Sequence, residues 1–163
     1  MKKIITYIVI CLSISGFSQK SLSKVLDKYN KESIPYISVE DASKKQNAII
    51  LDARELSEYK ISHLQHAICV GYDNFNLKKT TKKLNNKEQP IIVYCSIGIR
   101  SEDIAEKLKK AGYKNIYNLY GGIFEWKNNN FPVYNSEEKE TDSIHTFNKA
   151  WSKWLKKGVK IYD

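Results

Sequence analysis

Arginine is nearly absent from this 163-residue chain. The 27 basic side chains include only two arginines, Arg54 and Arg100, and the remainder are lysines. Because proteins that read phosphates and bases rely on arginine, the net charge of +9 does not indicate a nucleic-acid partner. Glycine and proline are also scarce, at seven and three residues, which excludes a collagen-like or low-complexity chain. The composition, 42% hydrophobic and 28% charged, fits one globular domain of ordinary size.

Long apolar runs are absent except at the start of the chain. Lys2 and Lys3 precede a mostly apolar stretch over 4–14, and small residues follow over 15–18. This three-part pattern predicts a signal peptide over 1–18, a mature chain that starts at Gln19, and export to the periplasm or cell envelope. An uncleaved N-terminal anchor is the alternative. No later run approaches the length of a membrane span, so no stable membrane insertion is expected after cleavage.

Cysteine is too rare for a disulfide framework. Of the three cysteines, Cys11 lies in the predicted signal peptide, while Cys69 and Cys95 lie at or inside apolar runs rather than in loops. Cys69 is interpreted as a small core residue, and a Cys69–Cys95 disulfide stays open because sequence gives no geometry. No His, Cys or carboxylate cluster has metal-ligand spacing, and no phosphate-binding or dinucleotide glycine motif occurs, so no metal or cofactor is expected.

Continuous apolar runs over 48–51, 67–70 and 91–94 predict strands that are covered on both faces. A fourth strand is predicted over 116–119, and a fifth at an edge over 36–39. Helical patterns lie between them, as in Ile104, Ala105, Leu108 and Ala111, with acidic residues before them and Gly112 after them. Alternating strands and helices predict an α/β fold, with a mostly parallel sheet flanked by helices on both faces.

Two segments extend the predicted central domain over 36–134. In the N-terminal helical extension over 19–35, apolar residues spaced at i, i+3, i+4 and i+7 predict a short helix that covers the sheet. The C-terminal part over 135–163 is predicted as a polar linker, 135–143, and an amphipathic helix over 144–157. Two tryptophans beside lysines are typical of a membrane-surface helix, but docking of this helix on its own domain is favoured over membrane or partner binding.

The carboxyl ends of parallel strands are where chemistry gathers in such sheets. Cys95 leaves a predicted strand, residues 96–99 turn, and a helix opens at Ser101. Backbone N–H groups of this turn can converge on one point, and the helix N-terminus adds positive charge, so a thiolate there is stabilised. We therefore predict Cys95 as a catalytic nucleophile, with Arg100 directed at an incoming anion. The predicted substrate-binding loop consists of Ser96, Ile97, Gly98, Ile99, Arg100 and Ser101.

Several motifs in order now define a resemblance. They are LDAR at 51–54, EY at 58–59, HLQHA at 63–67, CSIGIRS at 95–101, GY at 112–113 and GGIFEW at 121–126. From about Ile37 to Val133 the chain resembles the single-domain rhodaneses, a family of sulfurtransferases. The resemblance implies a five-stranded parallel sheet and a cysteine, here Cys95, that carries sulfane sulfur as a persulfide.

Departures from the family pattern concern one turn. Ser62 and His66 stand where the family usually has glycine, and Gly71 replaces a frequent proline. His66 is a candidate acid or base, although a histidine in a surface turn is the favoured interpretation. His63 matches a position whose role looks structural. Phosphatases on the same scaffold have one more residue between cysteine and arginine, so the four residues 96–99 favour sulfur over phosphate.

The resemblance implies a two-step covalent exchange. Cys95 would take sulfur from a small anionic donor such as thiosulfate and pass it to cyanide or a thiol; a protein acceptor is also compatible. Arg100 would hold the donor's sulfonate. Asp52, Arg54 and Glu58 are candidate supports behind the loop: Arg54 either holds the donor too or forms an ion pair with Asp52 or Glu58. Two alternatives stay open, a sulfur-carrier or binding module without turnover and an exported thiol-redox protein that uses Cys69.

Overall fold

A computed structural model describes residues 22–162. The predicted signal peptide over 1–18 lies outside the described residues. Helix α1 runs over 22–29. The elements of the central sheet and its crossovers follow in this order: β1 Tyr36–Ile37, α2 Val39–Lys44, β2 Ile49–Asp52, α3 Leu56–Ile61, β3 Ile68–Cys69, α4 Leu77–Thr81, β4 Ile91–Tyr94, α5 Arg100–Lys110 and β5 Ile116–Leu119. The remaining elements are α6 Gly122–Asn128, β6 Val133–Tyr134, β7 Glu140–Thr141, β8 Ser143–His145, α7 Lys149–Ser152 and β9 Val159–Ile161.

The central sheet has five strands in the order β1-β5-β4-β2-β3, and every pairing in it is parallel. This confirms the predicted α/β fold. Strand β4 is the middle strand and all four of its residues are buried, as its unbroken apolar run predicts. Ile91 and Val93 pack into the core that contains α5. Ile92 and Tyr94 pack into the core on the other side, so helices cover both faces.

Helix α5 follows β4 and sets the geometry of the site. Its acidic first turn, Glu102 and Asp103, and its basic last turn both favour the helix dipole. Ile104, Ala105 and Leu108 are buried, so the predicted apolar stripe is the face that packs on the sheet.

The N-terminal helix covers the sheet as predicted. Leu22 and Leu26 on α1 are buried in the same core as Ile92 and Tyr94. Tyr29, at the i+7 position of the predicted apolar face, is largely exposed.

The predicted C-terminal helix over 144–157 is wrong. The segment contains most of strand β8 and the four-residue helix α7, and β8 pairs in parallel with β9, which lies just beyond the segment. The left-handed backbone of Phe147 separates β8 from α7, where the Asn148 side chain accepts a hydrogen bond from the N–H of Trp151.

The apolar side chains of this segment still reach the core. Ile144, Trp154 and Leu155 are buried in the cluster that contains α1 and α6. The side chain of Asn128 on α6 accepts from the N–H of Lys156 at 2.7 Å and donates to the carbonyl of Trp154 at 3.0 Å. The predicted linker over 135–143 also contains structure, since β6 and β7 form an antiparallel pair.

Candidate active site

Cys95 lies at the carboxyl end of the middle strand, directly after Tyr94. Residues 96–99 form the turn, and α5 begins at Arg100, one residue before the predicted start. The Cys95 residue is only 2% exposed. The strand, turn and helix thus place the thiol where the sequence predicted it.

The sulfur of Cys95 is held by two groups of the loop and helix. The N–H of Gly98 donates to Cys95 Sγ at 3.2 Å, and Ser101 Oγ lies 3.5 Å from the same sulfur. The Ser101 hydroxyl donates to Asn118 Oδ1 at 2.7 Å. Because a hydroxyl has one proton, Ser101 Oγ then faces the thiol as an acceptor for its proton. When Cys95 ionises, the hydroxyl can turn and donate to the thiolate.

Two asparagines fix the direction of the loop peptide at Gly98. Asn118 Nδ2 and Asn30 Nδ2 each donate to the Gly98 carbonyl at 2.8 Å. Gly98 has a φ of 108°, a conformation that residues with a Cβ rarely adopt. These contacts fix the peptide that follows Gly98, while the N–H of the preceding peptide donates to the sulfur. The sequence does not indicate that either asparagine belongs to the site, because each is polar and lies far along the chain from Cys95.

Backbone from α6 lies directly against the cysteine loop. The N–H of Ile123 donates to the Cys95 carbonyl at 2.9 Å, and that of Phe124 to the Ser96 carbonyl at 3.2 Å. A Cβ on Gly122 would lie 2.2 Å from the Cys95 carbonyl oxygen. Gly122, the second glycine of the GGIFEW motif, therefore permits this close contact.

Arg100 lines the site, and its guanidinium binds Glu58. Arg100 Nη1 and Nη2 donate to the two Glu58 carboxylate oxygens at 2.7 and 2.8 Å, and Nη2 also donates to Ser96 Oγ at 3.0 Å. Burial raises the pKa of Glu58, but the hydrogen bonds and charge of Arg100 lower it more, so the net pKa lies below its ordinary value. His145 Nδ1 lies 3.9 Å from Glu58 Oε1. The two terminal nitrogens of Arg100 that we expected to hold a donor's sulfonate are therefore bound to Glu58. Donor binding by Arg100 stays a prediction.

Asp52 and Arg54 form a separate buried pair. Arg54 Nη2 donates to Asp52 Oδ2 at 2.6 Å and to the Ser62 carbonyl at 2.6 Å. Tyr94 donates its hydroxyl proton to the same Asp52 oxygen at 2.6 Å, and burial raises the pKa of Tyr94 well above its ordinary value. Arg54 is completely buried. Of the two roles left open for Arg54, the structure supports the ion pair with Asp52.

Cys95 lines an open cavity of about 200 Å³. The other lining residues of the cysteine loop and α5 are Ser96, Ile97, Ile99 and Arg100. Phe147 and Trp151, from the C-terminal segment, also line the cavity and form its aromatic wall. Sequence reasoning placed these two aromatics in an apolar helix stripe and gave no signal that they reach the cysteine.

The remaining candidate residues lie away from this cavity. Cys69 is half-buried rather than a core residue, and burial raises the pKa of its thiol. His66 is exposed in a turn with a φ of 60°, the left-handed conformation for which the family uses glycine. His63 is buried and stacks on the Tyr59 ring with centroids 4.0 Å apart.

Within residues 22–162 no group of His, Cys, Asp or Glu side chains is arranged to hold a metal ion. No helix in this same part of the chain combines the length and apolarity that crossing a membrane requires.

The fold and the site define a class: a parallel α/β domain with a cysteine in a strand-to-helix loop. The family described as Rhodanese-like domain matches residues 37–129, and the chain belongs to this family.

Relatives of known name agree with this membership. The chain is similar to the thiosulfate sulfurtransferase GlpE of Coxiella burnetii, with 32% identity over 94 residues that cover 58% of this chain and 85% of that protein. It is 35% identical over 91 residues to a tRNA uridine(34) hydroxylase of Hamiltonella defensa, covering 54% of this chain but 26% of the relative. The rhodanese-like domain of an Anabaena protein shares the fold with a TM-score of 0.56 at 22% identity, covering 62% of this chain and 79% of that one.

Proposed function

We propose that this protein is a sulfurtransferase that moves sulfane sulfur from an anionic donor such as thiosulfate to a thiophilic acceptor, cyanide or a thiol, through a persulfide on Cys95. The observation that carries the proposal is the position of Cys95, which lines an open cavity and whose sulfur accepts a hydrogen bond from the Gly98 N–H. The name of the Coxiella burnetii relative supports the same reaction class.

The first step forms the persulfide. The Cys95 thiolate attacks the outer sulfur of thiosulfate, a new S–S bond forms, and the S–S bond of the donor breaks to release sulfite. The terminal sulfur of the persulfide carries the negative charge, which N–H groups of the loop and the first turn of α5 stabilise. Ser101 holds or returns a proton at the Cys95 sulfur, and Asn118 positions that hydroxyl.

The second step regenerates the thiolate. An acceptor nucleophile attacks the outer persulfide sulfur, the bond between this sulfur and Cys95 Sγ breaks, and the electron pair returns to Cys95. Cyanide would leave as thiocyanate, and a thiolate would leave as a persulfide. The narrow loop of four residues between Cys95 and Arg100 suits this chemistry, because a persulfide adds one atom to the cysteine.

The thiol-redox alternative is disfavoured by the sheet. Cys69 lies opposite Asp52 on the next strand, and Asp52 lies opposite Tyr94. Two strand spacings amount to about 9–10 Å, whereas a disulfide needs Cα atoms within about 7 Å. Both thiols are free in the structure.

We also propose that the protein is exported, which rests on the pattern of residues 1–18. N-terminal sequencing of the protein from the cell envelope should give a chain that begins at Gln19. An intact Met1 on protein from the cytosol would contradict this.

Steady-state kinetics of the mature protein test the reaction. Initial rates measured at varied thiosulfate and cyanide should give the parallel double-reciprocal lines of a two-step exchange. A binding module without turnover would give no thiocyanate, and this result would overturn the proposal.

A further inference from the structure

The cavity beside Cys95 is completed by residues outside the stretch that matches the family. The family match ends at residue 129, whereas Phe147 and Trp151 come from the following segment. That segment is fixed to the domain by the hydrogen bonds of Asn128 to Trp154, Lys156 and Lys157 and by the burial of Trp154. The aromatic wall is thus a built part of this site.

Phe147 holds an unfavourable position at the cavity. Its φ is 62°, a conformation that bulky residues rarely adopt, and the residue is 50% exposed. Its N–H donates to His145 Nδ1 at 3.2 Å, and its ring covers the Arg100 guanidinium with 5.5 Å between the ring centroid and Cζ. A half-exposed ring contributes little to the core, whereas backbone strain of this kind is concentrated at functional sites.

The charges around the cavity disfavour a small dianion. The positive charge of Arg100 is compensated by Glu58, whose carboxylate binds both of its terminal nitrogens. The groups that face the cavity beside Cys95 are therefore largely apolar: Ile97, Ile99, Phe147 and Trp151. A donor with one negative charge and an apolar group, in place of the two charges of thiosulfate, would gain contact with the aromatic wall. It would also depend less on the positive charge of Arg100, which Glu58 already compensates.

We propose that Phe147 and Trp151 are specificity-determining residues, which select a small organic thiosulfonate, R–SO₂–S⁻ with an apolar R group, over inorganic thiosulfate as the sulfur donor. The inference rests on the proposed function. In the step, Cys95 thiolate bonds to the outer sulfur, the S–S bond of the donor breaks, and the sulfinate R–SO₂⁻ leaves with the electron pair. An apolar cavity of about 150 Å³ accepts benzene, so a single ring is a suitable size for R in this site.

A matched pair of donors tests the proposal. Methanethiosulfonate and benzenethiosulfonate carry the same reacting group and differ in R. Their intrinsic reactivity is the same for every variant, so the change in the ratio of their donor kcat/KM values between wild type and variant reports the contact of R. We expect the benzene compound to be favoured about tenfold or more in the wild type, as for other apolar contacts in an enzyme pocket. In Phe147→Ala the preference should fall to about threefold or less, and Phe147→Leu should restore part of it.

Val159→Ala is the control, because Val159 lies on the same segment, is similarly exposed at 54%, and is absent from the lining of the cavity. It should keep the wild-type ratio. The wild type should also have a higher kcat/KM for benzenethiosulfonate than for thiosulfate. A kcat/KM for thiosulfate that equals or exceeds it, equal values for the two thiosulfonates, or an unchanged ratio in Phe147→Ala would overturn the inference and leave the proposed function standing. If neither thiosulfonate nor thiosulfate transfers sulfur to Cys95, both the inference and the proposed function are wrong.

Discussion

Replacement of Gly122 by alanine tests whether the close contact between α6 and the cysteine loop holds the active site together. The added Cβ would lie 2.2 Å from the Cys95 carbonyl oxygen and 2.7 Å from the carbonyl carbon and oxygen of Ser96. These are backbone atoms, so no side chain can rotate away. The loop or α6 must move.

The expected destabilisation by Gly122→Ala is the sum of a backbone cost and a packing cost. Gly122 has a φ of 54°, and alanine in this left-handed region costs about 1–2 kcal/mol. Overpacking against backbone adds about 1–3 kcal/mol. Gly122→Ala should therefore lower the free energy of unfolding by about 3 kcal/mol, with a fall in Tm of about 8 °C. Displacement of the loop by about 1 Å could reduce sulfur transfer by about a hundredfold.

Gly71→Ala is the matched control. Gly71 also has a positive φ, 71°, but the nearest atom to its added Cβ is the Glu55 Oε2 carboxylate oxygen, at 3.9 Å. It should show only the backbone cost, about 1 kcal/mol, and keep full activity. Urea denaturation and thiosulfate assays of both variants make the comparison. Equal destabilisation of the two variants, with activity retained in Gly122→Ala, would show that the contact between α6 and the cysteine loop does not hold the active site together.

Three further predictions concern the charged pairs and the C-terminal segment. Glu58→Gln should lower the free energy of unfolding by about 2 kcal/mol at pH 7, because the charged fork of Arg100 loses its partner. The folded pKa of Glu58 is lowered, so its stabilisation is present above the unfolded value of about 4.5 and is lost as pH falls through the folded pKa; denaturation at several pH values should show a flatter acid limb in the variant. Arg54→Met should cost about 3–5 kcal/mol in chemical denaturation, since it leaves the Asp52 carboxylate buried and unpaired, and a loss below 1 kcal/mol would contradict the pair's role. Deletion of 144–163 removes three buried apolar side chains and should cost about 5 kcal/mol and increase binding of a hydrophobic dye, whereas unchanged stability would show that the segment does not support the core.

The sequence was sufficient for the elements whose signals are local. The runs at 91–94 and 116–119 are strands with the predicted ends. The first is an unbroken apolar tetrapeptide, which suits a strand covered on both faces. Cys95 could be located for the same reason: strand, turn and helix start are consecutive in the chain.

Contacts between distant segments could not be predicted. Glu58 and Arg100 are 42 residues apart, and Asn30 and Gly98 are 68 apart, so only the path of the chain brings them together. The local sequence around a polar residue does not indicate which distant residue it will bind.

The C-terminal segment misled the periodicity argument. Apolar residues three or four apart predicted one helix, but Ile144 and Trp154 reach the core from a strand and from the chain that follows α7. For the same reason Phe147 was not recognised as a residue of the site. Its backbone is left-handed, and a phenylalanine in the sequence does not indicate this conformation.

Intact-protein mass spectrometry can detect a persulfide on Cys95 directly. After treatment with thiosulfate, the wild type and Cys69→Ser should each gain the mass of one sulfur atom, and cyanide should remove it. Cys95→Ser should gain nothing while it keeps a cooperative unfolding transition. A gain of one sulfur that persists in Cys95→Ser, or its absence from the wild type, would contradict the account.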